Sequence, residues 1–245
     1  MNRVDPLTVM APLTNALIPV AATPQVGVCG LCRTGVAPDF TRCHSCHEAA
    51  SLDPPGILPI TLSVGGGLIH QHLWQYKNHD REEVRERTGT LLAALTAVFL
   101  NHHAECIGEW DYCTTVPSVR RIAMEPIVRR VQRLRDNYKP VLRARDGDGA
   151  RVLNPEQFDV TDVEAGDRVL LLDDTFTTGA KMFSAVAAIR SRGGVVVGPV
   201  VIGRHIQRQW PPSSQLLEWL EQRTWSVDRC ARCAGEVRSG TMFGK

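Results

Sequence analysis

Hydrophobic side chains recur with regular spacing in several parts of the chain. Over residues 82–102, Val84, Leu91, Leu92, Leu95, Val98 and Phe99 return near every 3.6 positions, which predicts a helix with one buried face. Its early turns carry Glu82, Glu83 and Glu86, the charge that a helix N-terminus favours. Residues 111–116 read as a strand stopped by Pro117, and a second helix is predicted from Pro126, in the favoured first helical position, to about Arg135. Val169, Leu170, Leu171 and Leu172 form an unbroken apolar run between Asp167 and Asp173, as in a central parallel strand buried on both faces. Residues 181–192 then place Met182, Phe183, Val186 and Ile189 on one helical side and stop at Gly193 and Gly194. Residues 195–201 resume as strand. Strand, loop, helix and strand within about 35 residues make a βαβ unit, so the fold class is α/β, a parallel sheet flanked by helices.

The rest divides by composition. Residues 1–25, with Pro12, Pro19 and Pro24, are expected as an irregular N-terminal arm, and 26–50 as a small cysteine-rich module. Residues 51–203 form the main α/β domain, introduced by a proline-rich connector over 51–59. Residues 204–245 hold a short helix, over about 214–223, and a CxxC tail. Gly65, Gly66 and Gly67 are not a dinucleotide fingerprint, because His70 stands where the third glycine belongs.

With 245 residues, 43% hydrophobic and 22% charged, the chain has the apolar content for one large domain or a medium one with an appendage. Its net charge of +2 provides no global field for nucleic acid or an anionic membrane, so any polyanion site must be local. Residues 119–145 meet that need, with nine Lys or Arg against two acids. The first 25 residues lack a signal-peptide core, and the apolar stretch 91–100 is too short to span a bilayer. A cytoplasmic protein without a membrane partner is expected.

Eight cysteines in a chain of this length without an export signal point to reduced thiols or metal thiolates rather than disulfides. Cys29 and Cys32 form one CxxC, and Cys43 and Cys46 form another ten residues on. Two such knuckles suit a structural Zn²⁺ held by four thiolates, a closed shell with no place for water. His44 and His47 are adjacent alternatives as ligands. Cys230 and Cys233 make a third CxxC, whereas Cys106 and Cys113 have no knuckle spacing and are expected as packed free thiols, with a second zinc held by Cys106, Cys113, Cys230 and Cys233 as the alternative.

Between the predicted central strand and its helix lie Asp173, Asp174, Thr175, Phe176, Thr177, Thr178, Gly179 and Ala180. Carboxylates at the carboxyl end of a parallel strand occupy the ligand position of open α/β sheets. The hydroxyls and glycine that follow lead into a helix N-terminus, which favours phosphate. One segment therefore offers acceptors for sugar hydroxyls and donors for a phosphate, provided that its acids are not consumed by ion pairs within the fold. It is not a Walker A loop, since Met182 stands where Ser or Thr would hold magnesium.

Residues 170–179 resemble the phosphoribosyl pyrophosphate motif of type I phosphoribosyltransferases. The paired cysteine knuckles, with Leu73, Trp74, Gln75, Tyr76, Lys77 and Asn78 ahead of a long helix, are similar to the ComF-like branch of that family, and the likeness covers about residues 29–203. The resemblance implies a Mg²⁺-dependent transfer of a 5-phosphoribosyl group to a small-molecule acceptor with release of pyrophosphate. It assigns Asp173 and Asp174 to the ribose hydroxyls as the catalytic pair, and Thr175, Phe176, Thr177, Thr178, Gly179 and Ala180 to the 5-phosphate. By the same resemblance Thr115, Val116, Pro117 and Ser118, with Arg120 and Arg121, receive the pyrophosphate, and residues from about 119 to 160 form a hood over the site. The chain lacks the Arg-Gly-Phe-Asn-Gln run usual in ComF-like proteins, which leaves the acceptor open.

Two alternatives stand beside this one. A ComF-like protein that handles single-stranded DNA would use residues 119–145 as its groove, but only Tyr138 is available there for base stacking, so a nucleic-acid partner is not expected. A sensor would bind phosphoribosyl pyrophosphate without turning it over. A homodimer is left open. Arg129, Arg130, Arg133 and Arg135 are expected to solvate a helix face.

Overall fold

The computed structural model describes residues 5–22, 24–118, 124–145 and 152–233. In chain order its elements are α1 (Pro6–Met10), α2 (His44–Glu48), β1 (Leu58–Val64), α3 (Leu68–Asn78), α4 (Glu82–His102), α5 (Ala104–Ile107) and β2 (Tyr112–Thr115). They continue with α6 (Glu125–Val128), α7 (Gln132–Arg135), β3 (Leu142–Ala144), β4 (Phe158–Val160), β5 (Arg168–Phe176), α8 (Ala180–Ser191), β6 (Val195–Ile206) and α9 (Pro211–Glu221).

Strands β1, β6, β5 and β2 lie side by side in that order, every pairing parallel, while β3 and β4 form a separate antiparallel ribbon. The apolar run of β5 explains its interior place. Leu170 and Leu172 are buried on one face with side chains of α3, α4 and α6, whereas Val169 and Leu171 are buried on the other with α8. Four fully buried side chains in a row can be accommodated only where helices cover both faces.

Three features depart from the sequence expectations. The segment expected as an irregular arm contains α1 and a 3-10 turn over Ala11–Ala16, and it buries Met10, Leu13 and Leu17 in the main core. Its Ile18 bridges Leu62 of β1. The helix predicted over 126–135 is two short ones, because Val131 takes an extended conformation between α6 and α7. Both still turn Ile127, Val128, Val131 and Leu134 into the core, so this part of the expected hood is core structure.

The cysteine module docks on the start of α9. A Cβ on Gly35 would strike the Pro212 carbonyl, and Thr34 Oγ1 lies 3.3 Å from Ser213 Oγ. No described helix is long and apolar enough to cross a membrane.

Candidate functional site

β5 continues four residues beyond the apolar run. Asp173, Thr175 and Phe176 pair with Val201, Gly203 and Arg204 of β6, so the two acids are strand residues and only Thr177, Thr178 and Gly179 remain between strand and helix. Side chains alternate across a strand, which sends neighbouring acids to opposite faces. Asp174 follows Leu170 and Leu172 toward α3, where it is buried and held by the Lys77 ammonium and the Tyr76 hydroxyl. Burial first, and then the Asp174 charge, push the Tyr76 hydroxyl well above its ordinary range, so it remains a donor. Asp174 is therefore engaged within the fold.

Asp173 stays partly exposed on the α8 side, and its Oδ1 accepts the Asp174 amide N–H at 2.9 Å. Burial, followed by the charge of Asp174, pushes its pKa up to about 8, against the opposing pull of Lys77 and Lys181. An acid that holds its proton so firmly would gain from a cation or from hydroxyl donors.

The bend that follows is shaped by sterics. Gly179 has φ +90°, and a Cβ there would run into the rings of Phe176 and Phe183, which pack edge to face 5.4 Å apart. Thr178 Oγ1 lies 3.5 Å from the Ala180 amide, while Thr177 is exposed at the tip. The N-cap residue Gly179 has no side-chain oxygen, so the first turn of the 12-residue α8 presents its amides and positive dipole end at this bend.

The neighbouring strand supplies the facing wall. β2 pairs with β5 up to Thr115 and Leu172, and the Val116 amide donates to the Leu172 carbonyl at 2.9 Å. Residues 116–118 thus start beside the acids. From here β2 leads to the face holding Met124, Ile127 and Val128, whereas β5 leads to α8 on the opposite face. Adjacent strands that exit to opposite faces open a crevice at their carboxyl ends, where α/β sheets bind ligands. Thr115 is buried, with Oγ1 3.2 Å from the Tyr138 hydroxyl. Arg120 and Arg121 lie outside the described residues.

Four other basic side chains of this region have protein partners. Arg129 pairs with Glu125, Arg130 with Glu86 and Arg135 with Asp136, while Arg133 stacks 4.3 Å over Trp110 and donates to the Leu100 carbonyl.

Cys29, Cys32, Cys43 and Cys46 converge, all four sulfurs lying within 4.8 Å of one another and Cys32 Sγ 3.6 Å from Cys43 Sγ. A tetrahedral zinc site has sulfur–sulfur edges of about 3.8 Å, so these thiols could hold such a metal. His44 is turned outward to Glu48, and neither it nor His47 belongs to the cluster. Hydrogen bonds from Cys32, Cys43 and Cys46 hold the Cys29 thiol far below its ordinary range, while Cys29 and its neighbours push Cys43 and Cys46 far above theirs. A bound divalent ion would favour the thiolate form of all four.

Two arginines that the sequence reading missed are buried beside this cluster. Arg33 donates to the Gly30 carbonyl, and Arg204 donates from Nε to the Cys32 carbonyl at 2.9 Å and from Nη2 to Cys32 Sγ at 3.3 Å. A divalent ion with four thiolates would carry two negative charges, which the two guanidiniums offset. Arg204 also donates to the Phe176 carbonyl at 3.2 Å and lies 5.0 Å over its ring. The cysteine module is thereby connected to the last strand residue before the Thr177–Gly179 bend. Tyr76 and Lys77 were legible only as part of a family-like stretch; Arg204, at the end of an apolar strand, carried no local signal.

No family model and no curated protein matches the chain. Several solved chains are similar to it, two of them phosphoribosyltransferases. One is the orotate phosphoribosyltransferase of Mycobacterium tuberculosis H37Rv in complex with inorganic phosphate, at 18% identity and TM-score 0.34, covering 56% of this chain and 73% of that one. The other is a phosphoribosyltransferase from Corynebacterium diphtheriae, at 16% identity and TM-score 0.31, covering 72% of this chain and 90% of that one.

Proposed function

We propose that this chain binds phosphoribosyl pyrophosphate with Mg²⁺ and transfers the 5-phosphoribosyl group to an acceptor, releasing pyrophosphate. What supports this reading is the order of elements at the sheet's carboxyl end: Asp173 and the Thr177–Gly179 bend lead from β5 into the N-terminus of α8, and β2 ends beside them at Thr115. These suit a sugar hydroxyl, a phosphate and a diphosphate respectively.

The roles divide more finely than the motif implies. Asp173 faces the ribose hydroxyls and stabilises the positive charge that develops as the anomeric carbon–oxygen bond to pyrophosphate breaks. Asp174, held by Lys77 and Tyr76 on the other face of β5, anchors the strand that carries Asp173. The amides at the start of α8, with the Thr177 and Thr178 hydroxyls, take the 5-phosphate, and residues 115–118 take the pyrophosphate. An acceptor lone pair closes the new bond, so no covalent nucleophile on the protein is needed.

The Mg²⁺ fits this donor set, because Asp173 offers a hard carboxylate oxygen whose proton affinity is raised by burial and by the Asp174 charge beside it. Bound with the substrate, the ion would neutralise charge developing on the departing pyrophosphate. Zinc at the four N-terminal cysteines belongs to the same proposal, as a structural ion.

Titration calorimetry with Mg²⁺ and phosphoribosyl pyrophosphate should show one saturable site per chain. Thr177→Glu, a change at an exposed position that sets a negative charge against the 5-phosphate, should weaken binding by at least about tenfold, or about 1.4 kcal/mol, with the melting temperature unchanged. Equal affinity in the two proteins would remove the phosphate assignment. Pyrophosphate release across amine, nucleobase and hydroxyl acceptors then separates transfer from binding without turnover. The alternative of a single-stranded DNA groove has less support, since Arg129, Arg130, Arg133 and Arg135 are occupied by protein partners.

The Arg204 connection yields a second expectation. Cys43→Ser with Cys46→Ser should lose one zinc per chain by elemental analysis and also weaken sugar-phosphate binding several-fold, because the Phe176 carbonyl loses its brace. Loss of zinc with unchanged affinity would show the module to be uncoupled from the site.

A further inference from the structure

We propose that His103, Cys106, Cys230 and Cys233 form a second zinc site, which fastens the end of the described chain to the end of α4. The sequence alone offers a different grouping, Cys106 and Cys113 with Cys230 and Cys233, or Cys106 and Cys113 as packed thiols. The structure separates Cys106 from Cys113. Cys113 is a buried residue of β2 whose thiol donates to the Leu134 carbonyl at 3.3 Å, and it has no place in the cluster. Cys106, on the single turn of α5, instead faces the distant CxxC, and His103 joins it from the junction between α4 and α5.

The donor atoms of these four residues all lie within 4.8 Å of one another. Cys230 Sγ is 3.3 Å from Cys233 Sγ, and Cys233 Sγ is 3.3 Å from His103 Nδ1. A tetrahedral ion with three sulfur ligands and one imidazole needs donor separations of about 3.5 to 3.8 Å, so only small movements are required. The arrangement consists of two short knuckles, His103 with Cys106 and Cys230 with Cys233, each with two intervening residues. Three soft thiolates and an imidazole select zinc over hard cations such as Mg²⁺ or Ca²⁺.

His103 gives the second argument. The residue is 2% exposed, its Nδ1 is the atom that faces the sulfurs, and the ring also meets the Val227 backbone, as a metal-bound imidazole's second nitrogen usually does. Burying an imidazole against three thiols is costly unless something binds it. Around the cluster the tail is already held in place: Arg232 donates to the Cys106 carbonyl at 2.6 Å, His102 lies 3.4 Å from the Asp228 carboxylate, and Trp225 donates to the Ile60 carbonyl at 3.0 Å. A zinc ion here would link His103 and Cys233, 130 positions apart in sequence, and offset the charge of the three thiolates.

The test uses the full chain purified with reductant and zinc. Cys230→Ser with Cys233→Ser is expected to hold one zinc fewer than the wild type by elemental analysis, whereas Cys113→Ser holds the same amount as the wild type. Counting the difference makes the result independent of the N-terminal module and of the proposed enzymatic activity. A measurement on the unmutated protein guards against a variant that does not fold. Cys233 is exposed, so a free thiol there would be alkylated at once, whereas ligation should slow alkylation of Cys106, Cys230 and Cys233 together until a chelator is added. Equal zinc in the wild type and the double variant overturns the site, as does immediate modification of Cys233 in zinc-loaded protein or its recovery as a disulfide with Cys230.

Discussion

Asp173→Asn should stabilise the protein and abolish its binding of phosphoribosyl pyrophosphate. The Asp173 carboxyl holds its proton up to about pH 8, against 3.8 in the unfolded chain, because it is half-buried and lies next to the Asp174 charge. Between those two values the native state binds more protons than the unfolded state, so stability falls as pH rises through the window and levels off above it. Asparagine removes that loss. The gain should be absent near pH 4 and complete above pH 8, on the order of 2 kcal/mol after allowance for partial exposure, or about 4–8 °C in melting temperature for a chain of this size. Thermal unfolding at pH 5 and at pH 8.5 distinguishes this from a generic effect: the stabilisation must be larger at the higher pH, and an equal shift at both would count against it. Calorimetry on the same variant should show binding weakened by about a hundredfold or more, near 2.7 kcal/mol. In the wild type, affinity for the magnesium–substrate complex should rise as pH climbs toward 8, because the proton must leave before the ribose hydroxyls and the metal can take its place. A residue whose removal raises stability while eliminating binding is maintained for function.

Lys77→Met should be strongly destabilising. The Lys77 side chain is 14% exposed and its partner Asp174 only 3% exposed, so the variant leaves a buried carboxylate with the Tyr76 hydroxyl as its remaining donor. Breaking a buried pair from one side costs roughly 3–5 kcal/mol, because the remaining charge has neither water nor a counter-ion. The double variant Lys77→Met, Asp174→Asn removes that stranded charge and should recover most of the loss. Urea denaturation of the wild type, both single variants and the double variant closes the cycle. A Lys77→Met protein within about 1 kcal/mol of the wild type would show that the pair is not stabilising in solution. The cycle also revises what Asp174→Asn alone can reveal. The motif implies a clean loss of sugar binding with the fold intact, but here the substitution also leaves Lys77 without its carboxylate. Asp173 is the more informative position at which to probe the sugar.

Much of this protein is determined by order along the chain. The helical period over residues 82–102 reappears as α4 (Glu82–His102), and the unbroken Val169–Leu172 run becomes the interior of β5, because each pattern spans enough residues for only one kind of burial to satisfy it. The four N-terminal cysteines were legible for a similar reason: knuckle spacing brings sulfurs together through short loops, and they converge. Where sequence neighbours proved misleading, tertiary pairing decided the outcome. Polar residues 173–175 resemble a loop but are drawn into β5 by hydrogen bonding to β6, and that extension sends two adjacent acids to opposite faces with different partners. The proline-bearing arm folds because Met10, Leu13 and Leu17 find the core already built by α3 and α4, a surface that no local pattern reports. His103 and Cys233 meet across 130 residues, and Arg204 reaches Cys32 across 172. Local chemistry therefore specified the long helix, the central strand and the convergence of the N-terminal cysteines. The partners that hold each acid, thiol and arginine were settled by long-range packing, because a buried charge takes whatever counter-group the fold places beside it.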